Sequence, residues 1–315
     1  GYWERESYVF YQTTSDSQFA SDMGLEIDQF KNKLKLVNKK LFDYREKRVQ
    51  PTIDTKIVFS WNALTIRGLI DAYKTTGDNN FLTKAIAINK GLEEKMIKGN
   101  KIAHTNGQSL DNQVLFFEDY SYYIDALIAL YEATYEIDWI NKAVAFTEFS
   151  NIEFKQENSF YKFSSNQELL YSDILIHLED GVIPSANSVM NFNLFRLSHY
   201  LGNKDFSIQA EKMMNNIIGK LESRVTDHMF WFWSSLNYSD GFFELAISGP
   251  DAKEKGKELS LEYLPNAIIA ANNEPSDFYL LKERFFKDET YIYVCVNNTC
   301  KFPVTNIKEA LKLMD

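Results

Sequence analysis

Three stretches of this chain align without gaps, and their alignment restricts the fold more than any single motif does. They are Trp61–Ala85 (WNALTIRGLIDAYKTTGDNNFLTKA), Asp119–Ala143 (DYSYYIDALIALYEATYEIDWINKA) and Ala186–Ala210 (ANSVMNFNLFRLSHYLGNKDFSIQA). Leu69, Leu127 and Leu194 correspond, then Phe81, Trp139 and Phe206, then Ala85, Ala143 and Ala210, at spacings of 12 and 4 in every copy. Each copy reads as a helix, a tight turn and a second helix. Gly77-Asp78 and Gly202-Asn203 supply a glycine to end one helix and a side-chain acceptor to open the next. The middle copy has Ile137-Asp138 there, so its turn is expected to need no left-handed glycine. Helical hairpins repeated at offsets of 58 and 67 residues build a solenoid or, when the row closes on itself, an (α/α) toroid. The first helix of each copy is apolar around much of its circumference, whereas the second carries one apolar stripe, as in Phe81, Ala85, Ile88 and Leu92. That asymmetry suits an inner and an outer ring, and the toroid is expected.

The clearest helix is Phe116–Tyr135. Phe117, Tyr120, Ile124, Leu127 and Tyr131 form one stripe, and Tyr122, Ala126, Ala129 and Ala133 a second, so it should be packed on two sides. Ser121, Asp125 and Glu132 take the remaining face, and Glu118 and Asp119 lie where the chain enters the helix.

Composition narrows the rest. With 13 Gly and 6 Pro in 315 residues, a turn-rich all-β fold is disfavoured. A net charge of −10, with no Lys/Arg run interleaved with aromatics, argues against nucleic acid and anionic membrane as partners. No apolar run is long enough to span a bilayer, and GYWERESYVF lacks the order of a signal peptide, so a cytoplasmic location is expected. Cys295 and Cys300 are the only cysteines. Two thiols do not complete a four-ligand zinc site, and a reduced structural pair is the expectation, with a redox role as the alternative. Neither a metal nor a cofactor is expected.

Residues 1–22 lack a clear period and read as an irregular or short extended lead. Gly24–Arg45 reads as an amphipathic surface helix through Phe30, Leu34, Val37, Leu41 and Tyr44. NSFYKF at 158–163 suggests a short hairpin bordering a cleft, and Asp227–Tyr238 a further inner helix. After Gly241 the pattern changes to apolar runs (242–248, 265–271, 291–296) separated by a helical stretch and followed by a final helix at 307–314. This reads as a small α/β subdomain with a parallel pair of strands, giving a helical-hairpin region over 1–240 and the subdomain over 241–315.

The alignment also places candidate functional residues. Ser60-Trp61-Asn62, Glu118-Asp119-Tyr120 and Ser185-Ala186-Asn187 occupy equivalent positions at the starts of the first helices, and in a ring they would surround one mouth. An indole, a phenol, carboxamides, hydroxyls and carboxylates together suit a polyhydroxylated ligand. The same residue types also cap helices, and capping is the stronger reading for Ser60 and Ser185. For Glu118 and Asp119 capping and chemistry weigh equally. Asp180, just ahead of the third copy, could face Asp119 across a glycosidic bond, since the usual hydrolysis needs two carboxyl groups. Sugar epimerisation more naturally uses histidine pairs, and none of His104, His177, His199 and His228 falls in the aligned triplets. The candidates are therefore Glu118, Asp119 and Asp180 for catalysis, and Trp61, Asn62, Tyr120, Ser185, Asn187 and Ser188 for binding a sugar-like molecule.

KIVFSWNALTIRGL (56–69), FFEDYSYYIDALIALYEAT (116–134), DGVIPSANSVMNFNLFRLS (180–198) and YVCVNNTCKFPVTN (293–306) together resemble, in this order, motifs of the thioredoxin-domain proteins typified by spermatogenesis-associated protein 20. The resemblance runs from about Gly1 to the end of the chain. It implies a six-hairpin glycosidase-like (α/α) toroid, similar to N-acylglucosamine 2-epimerases, following an N-terminal thioredoxin-like domain. A link to carbohydrate metabolism is implied by fold likeness alone. The family's early hairpins, with their His-Phe-Glu-Lys-Met-type motif, have no counterpart here, so the ring is expected to be incomplete. Ala63 and Ala186 stand where the family tends to have glycine, which narrows the space beside the helix starts. Two functions follow: a carbohydrate-binding or carbohydrate-processing domain, epimerase/isomerase-like or glycosidase-like, or a non-catalytic interaction scaffold working with the thioredoxin-like domain.

Overall fold

A computed structural model describes residues 9, 11–110, 113–166, 175–221, 224–239, 241–297 and 299–314. The chain divides into two compact units, 1–55 and 56–315.

The first unit contains α1 (Asp16–Asp22) and α2 (Ile27–Arg45). A helix forms within the stretch read as irregular because Ser15 caps it, its hydroxyl accepting from the Gln18 amide. Gly24, at φ 64°, turns the chain, and Phe19 packs on Phe30 at 5.3 Å between ring centroids. No residue of α2 is buried within the described structure.

The second unit is built on three helical hairpins: α3 (Phe59–Thr76) with α4 (Asn79–Met96), α5 (Phe117–Thr134) with α6 (Asp138–Glu153), and α7 (Ala186–Leu201) with α8 (Lys204–Leu221). A two-stranded ribbon, β1 (Ile97–Lys98) and β2 (Lys101–Ile102), follows α4. Ala85, Ala143 and Ala210, equivalent in the repeats, are all fully buried where second helices meet first helices. The fold is mainly helical, of the (α/α)-hairpin kind, with α3 and α7 packed on either side of α5. Its central helix, α5, has 15 of its 18 residues buried, which accounts for its two apolar stripes.

Gly77 and Gly202 end α3 and α7 in the left-handed conformation, and Asp78 and Asn203 open the next helices by accepting backbone amides. The middle turn has no glycine but still uses the left-handed conformation. Tyr135 adopts the left-handed conformation at φ 56° without being glycine. Its buried ring lies against Gly256, where an added Cβ would meet the tyrosine ring at 2.7 Å. Packing of the ring thus holds a backbone conformation that is unfavourable for a bulky side chain.

The segment read as an inner helix at 227–238 is interrupted. It forms a 3-10 turn at Val225–His228, the short α9 (Met229–Ser235) and a second 3-10 turn. The 158–163 segment makes a tight turn closed by an antiparallel bridge between Lys155 and Tyr161. Beyond it, β3 (Phe243–Ser248), α10 (Ala252–Leu259), β4 (Ala267–Asn272), β5 (Tyr291–Val296), β6 (Thr299–Cys300) and α11 (Ile307–Lys312) complete the chain. The sheet order is β4-β3-β5-β6, with β3 parallel to β4 and antiparallel to β5. The expected parallel pair is therefore β3 and β4, joined through α10. This sheet packs on the C-terminal ends of α5 and α7: Tyr200 donates to Ile269 O, His199 Nδ1 lies 2.7 Å from Glu244, and Phe195 packs on Phe242. The N-terminal ends of the first helices are left for a site.

The expected reduced cysteine pair is corrected. Cys295 and Cys300 oppose each other directly across β5 and β6 and form a disulfide. Direct opposition brings the two Cβ atoms within reach of a bridge, which spacing in sequence alone does not reveal.

Candidate functional site

The first turn of α5 begins with Phe117, Glu118 and Asp119, two carboxylates separated by one peptide unit on a helix packed nearly all round. Asp119 is directed inward and fully buried. Its Oδ1 accepts the Ser60 backbone N–H at 3.0 Å, thereby joining the first turns of α3 and α5. The Ser60 hydroxyl donates to Glu118 Oε1 at 3.3 Å. On the other side of α5, the Ser121 hydroxyl donates to Ala186 O and the Tyr122 hydroxyl to Pro184 O, both at 2.6 Å. The starts of α3, α5 and α7 are consequently gathered at one end of the hairpins.

A residue outside the aligned triplets completes this arrangement. The segment after β2 is stitched to the entrance of α3: Phe59 N donates to His104 O at 2.9 Å, Asn106 N to Ile57 O at 3.1 Å, and Ile57 N to Asn106 Oδ1 at 2.7 Å. These bonds bring His104 Nδ1 to 3.0 and 3.2 Å from the two Asp119 oxygens. The imidazole is a quarter exposed, and its Nε2 has no hydrogen-bond partner among the described residues. Nitrogen or oxygen atoms of His104, Glu118 and Asp119 all lie within 4.8 Å of one another.

The electrostatics follow from burial. The hydrogen bond to Asp119 holds the His104 pKa above its ordinary 6.5, although burial works against this. Burial raises the Glu118 carboxyl, and the neighbouring Asp119 charge raises it further, while His104 and Ser60 oppose the shift. Burial likewise raises Asp119 against the opposing bonds from His104 and Ser60. An imidazole oriented by a carboxylate beside a second, less acidic carboxyl can take up and release protons near neutral pH.

Glu118 opens onto a cleft of about 210 Å³ together with Phe117, Tyr122, Phe163 and His177. Aromatic rings run along this end in sequence: His104 to Phe116 at 4.9 Å, Phe116 to Phe163 at 5.4 Å, and Phe163 to His177 at 4.9 Å. The cleft is smaller than the ~300–1,000 Å³ usual for drug-sized ligands, and it suits a single small molecule.

The other sequence candidates are placed differently. Tyr120 is turned into the core, its hydroxyl donating to Asn100 O and accepting from Ile102 N, both at 3.1 Å. Asp180 accepts Ser185 N and the Ser188 hydroxyl on Oδ1, and Phe230 N on Oδ2, so it ties the start of α7 to α9. Ser185 caps α7 and donates to His177 O. Asn187 bonds both backbone groups of Tyr161 and also His177 O, and Ser188 donates to Ser185 O. Asn62 donates through its side-chain amide to the carbonyl of Val58, the residue that precedes α3. Trp61 is 64% exposed and is absent from the residues lining the cleft. Sequence reasoning missed His104, whose only local signal is the apolar pair Ile102-Ala103 leading into a polar Asn106-Gly107 turn.

No family model matches the chain. Spermatogenesis-associated protein 20 of Homo sapiens is 26% identical over 324 residues, covering 94% of this chain and 40% of that protein. The Mus musculus protein is 27% identical over 320 residues, with the same shares covered. The chain is homologous to spermatogenesis-associated protein 20 and spans about 40% of the length of these relatives. Among solved structures, a GH76 alpha-mannanase of Bacteroides thetaiotaomicron is similar at TM-score 0.45 and 13% identity, over 55% of this chain and 46% of that one. A cellobiose 2-epimerase of Bacillus thermoamylovorans is similar at TM-score 0.42 and 14% identity, over 51% and 44%. The unsaturated glucuronyl hydrolase of Bacillus sp. GL1 is similar at TM-score 0.42 and 12% identity, over 54% and 49%.

Proposed function

We propose that this chain carries a carbohydrate-processing site at the gathered starts of α3, α5 and α7, where His104 and Glu118 exchange protons with a small polyhydroxylated ligand. The observation that carries the reading is a partly exposed imidazole, bonded through Nδ1 to the buried Asp119 and with a ring nitrogen within 4.8 Å of Glu118, whose carboxyl lines the cleft while His104 lies outside its lining. Asp119 orients His104 and stabilises its protonated form, leaving Nε2 as the group that meets the ligand. Glu118, held less acidic than usual by burial, supplies the second proton-transfer group. Reversible removal of a proton next to a sugar carbonyl is the chemistry that needs two such groups and no further component. Ser185 and Asn187 line the cleft, Asp180 and Ser188 hold the start of α7 behind them, and Trp61 offers an exposed ring at the helix starts.

The test is incorporation of solvent deuterium into a panel of aldoses and ketoses, followed by proton NMR. The expected result is exchange at one carbon with the native chain, lost in His104→Asn and strongly reduced in Glu118→Gln. A second reading, a non-catalytic scaffold working with a further domain of the longer relatives, is favoured by the number of mouth residues already spent on backbone bonds. It predicts no exchange and no resonance shift with any sugar, in this chain or in the longer protein.

A further inference from the structure

We propose that Cys295–Cys300 is a site of thiol–disulfide exchange with an external dithiol, with Arg284 holding the leaving thiolate. The two sulfurs differ in access: Cys295 is buried in β5, whereas Cys300 is exposed on the two-residue edge strand β6. Both face one guanidinium. Arg284 Nη1 lies 3.6 Å from Cys295 Sγ, and Nη2 lies 3.2 Å from Cys300 Sγ. Arg284 is itself held in place by Tyr293, its guanidinium carbon 5.0 Å from the ring centroid on the strand that carries Cys295. A cation set against both sulfurs does little for a neutral disulfide. It does much for the thiolate that forms when the bond breaks, because thiolates are stabilised by adjacent cations. The bridge spans a hairpin whose strands are already paired, Val296 with Thr299 beside the turn, so it adds little to holding these strands together.

One thiolate of the dithiol attacks the exposed Cys300 Sγ, the Cys295–Cys300 bond breaks, and its electron pair leaves on Cys295 Sγ beside Arg284. The second thiolate of the reductant then displaces Cys300 Sγ. The reductant ends as a disulfide, the protein has gained two electrons, and each cysteine sulfur takes a proton from solvent.

The experiment follows reduction of the folded chain by dithiothreitol, quenched by alkylation and read by mass, with near-UV circular dichroism confirming that the fold persists. A parallel incubation with glutathione maps the mixed disulfide. The expected results are full reduction without unfolding, a glutathione adduct on Cys300, and a rate reduced about tenfold in Arg284→Gln but largely retained in Arg284→Lys. Should Arg284→Gln not fold, the lysine variant and the adduct position decide. A disulfide reducible only after unfolding, an adduct on Cys295, or a rate indifferent to Arg284 would overturn the proposal.

Discussion

Arg196 shows how much a single side chain carries in this fold. Buried on α7, it reaches Asp125 and Glu132 on α5, and Arg67 on α3 bonds Asp125 from the other side at 3.1 Å. Lys74 adds a 3.0 Å pair with Glu132. Removing Arg196 leaves Asp125 with Arg67 and Glu132 with Lys74 as their remaining cations, so Arg196→Ala should cost about 3 kcal/mol by urea denaturation, the low end for breaking a buried ion pair. Burial alone would raise the Glu132 carboxyl, but Lys74, Arg196 and Arg67 outweigh it and hold it down to about 2. A carboxyl lowered on folding stabilises the native state above its unfolded value of 4.5. That contribution should disappear as pH falls from 4.5 towards about 2, and the urea midpoint should fall over the same window. Gly256 has the opposite constraint. A Cβ there would sit 2.7 Å from the Tyr135 ring and 3.1 Å from Ala271 Cβ, so Gly256→Ala should cost about 1–3 kcal/mol through overpacking.

Elements were legible where their cause is local. The three hairpins follow from apolar spacing and from Gly-Asp or Gly-Asn turn chemistry, and α5 was recognisable as doubly packed because both of its stripes lie within one helix. The left-handed Tyr135 was not legible, since its cause is a ring contact with a glycine 121 residues further along the chain. The interruption of the 227–238 helix has a similar origin, because Asp180 accepts the Phe230 amide and turns the chain at the entrance of α9. Within the site, Glu118 and Asp119 were found from register. His104 was not, because its position is set by backbone bonds to Phe59 and Ile57 rather than by any helical period. Asp180→Ala removes acceptors from Ser185, Ser188 and Phe230 at once, and it should cost about 1–3 kcal/mol while leaving most far-UV helix signal intact. Trp61→Ala, at an exposed position, should change stability by no more than about 0.5 kcal/mol, as read from the same urea curves.

At the scale of the whole molecule, the helical hairpins and the sheet occupy opposite roles. The sheet fastens the C-terminal end of α7 through Tyr200, His199 and Phe195, while at the other end the starts of α3 and α5 meet at Ser60, Glu118 and Asp119 beside His104. The division after Thr55 falls in a segment without regular structure, where Val49 and Ile53 are exposed. Limited trypsin treatment should therefore cut first after Arg45, Lys47, Arg48 or Lys56 and leave a resistant product that starts between Glu46 and Ile57 and contains the second unit. Proton transfer to a sugar at the gathered helix starts would be reported directly by the imidazole resonances of His104. A pH titration by NMR, with and without the aldose that exchanges deuterium, should give a His104 pKa above 6.5 that falls in Asp119→Asn and shifts again when sugar binds. A His104 resonance that titrates at or below 6.5 and ignores every sugar tested would rule out a proton-transfer site at these helix starts.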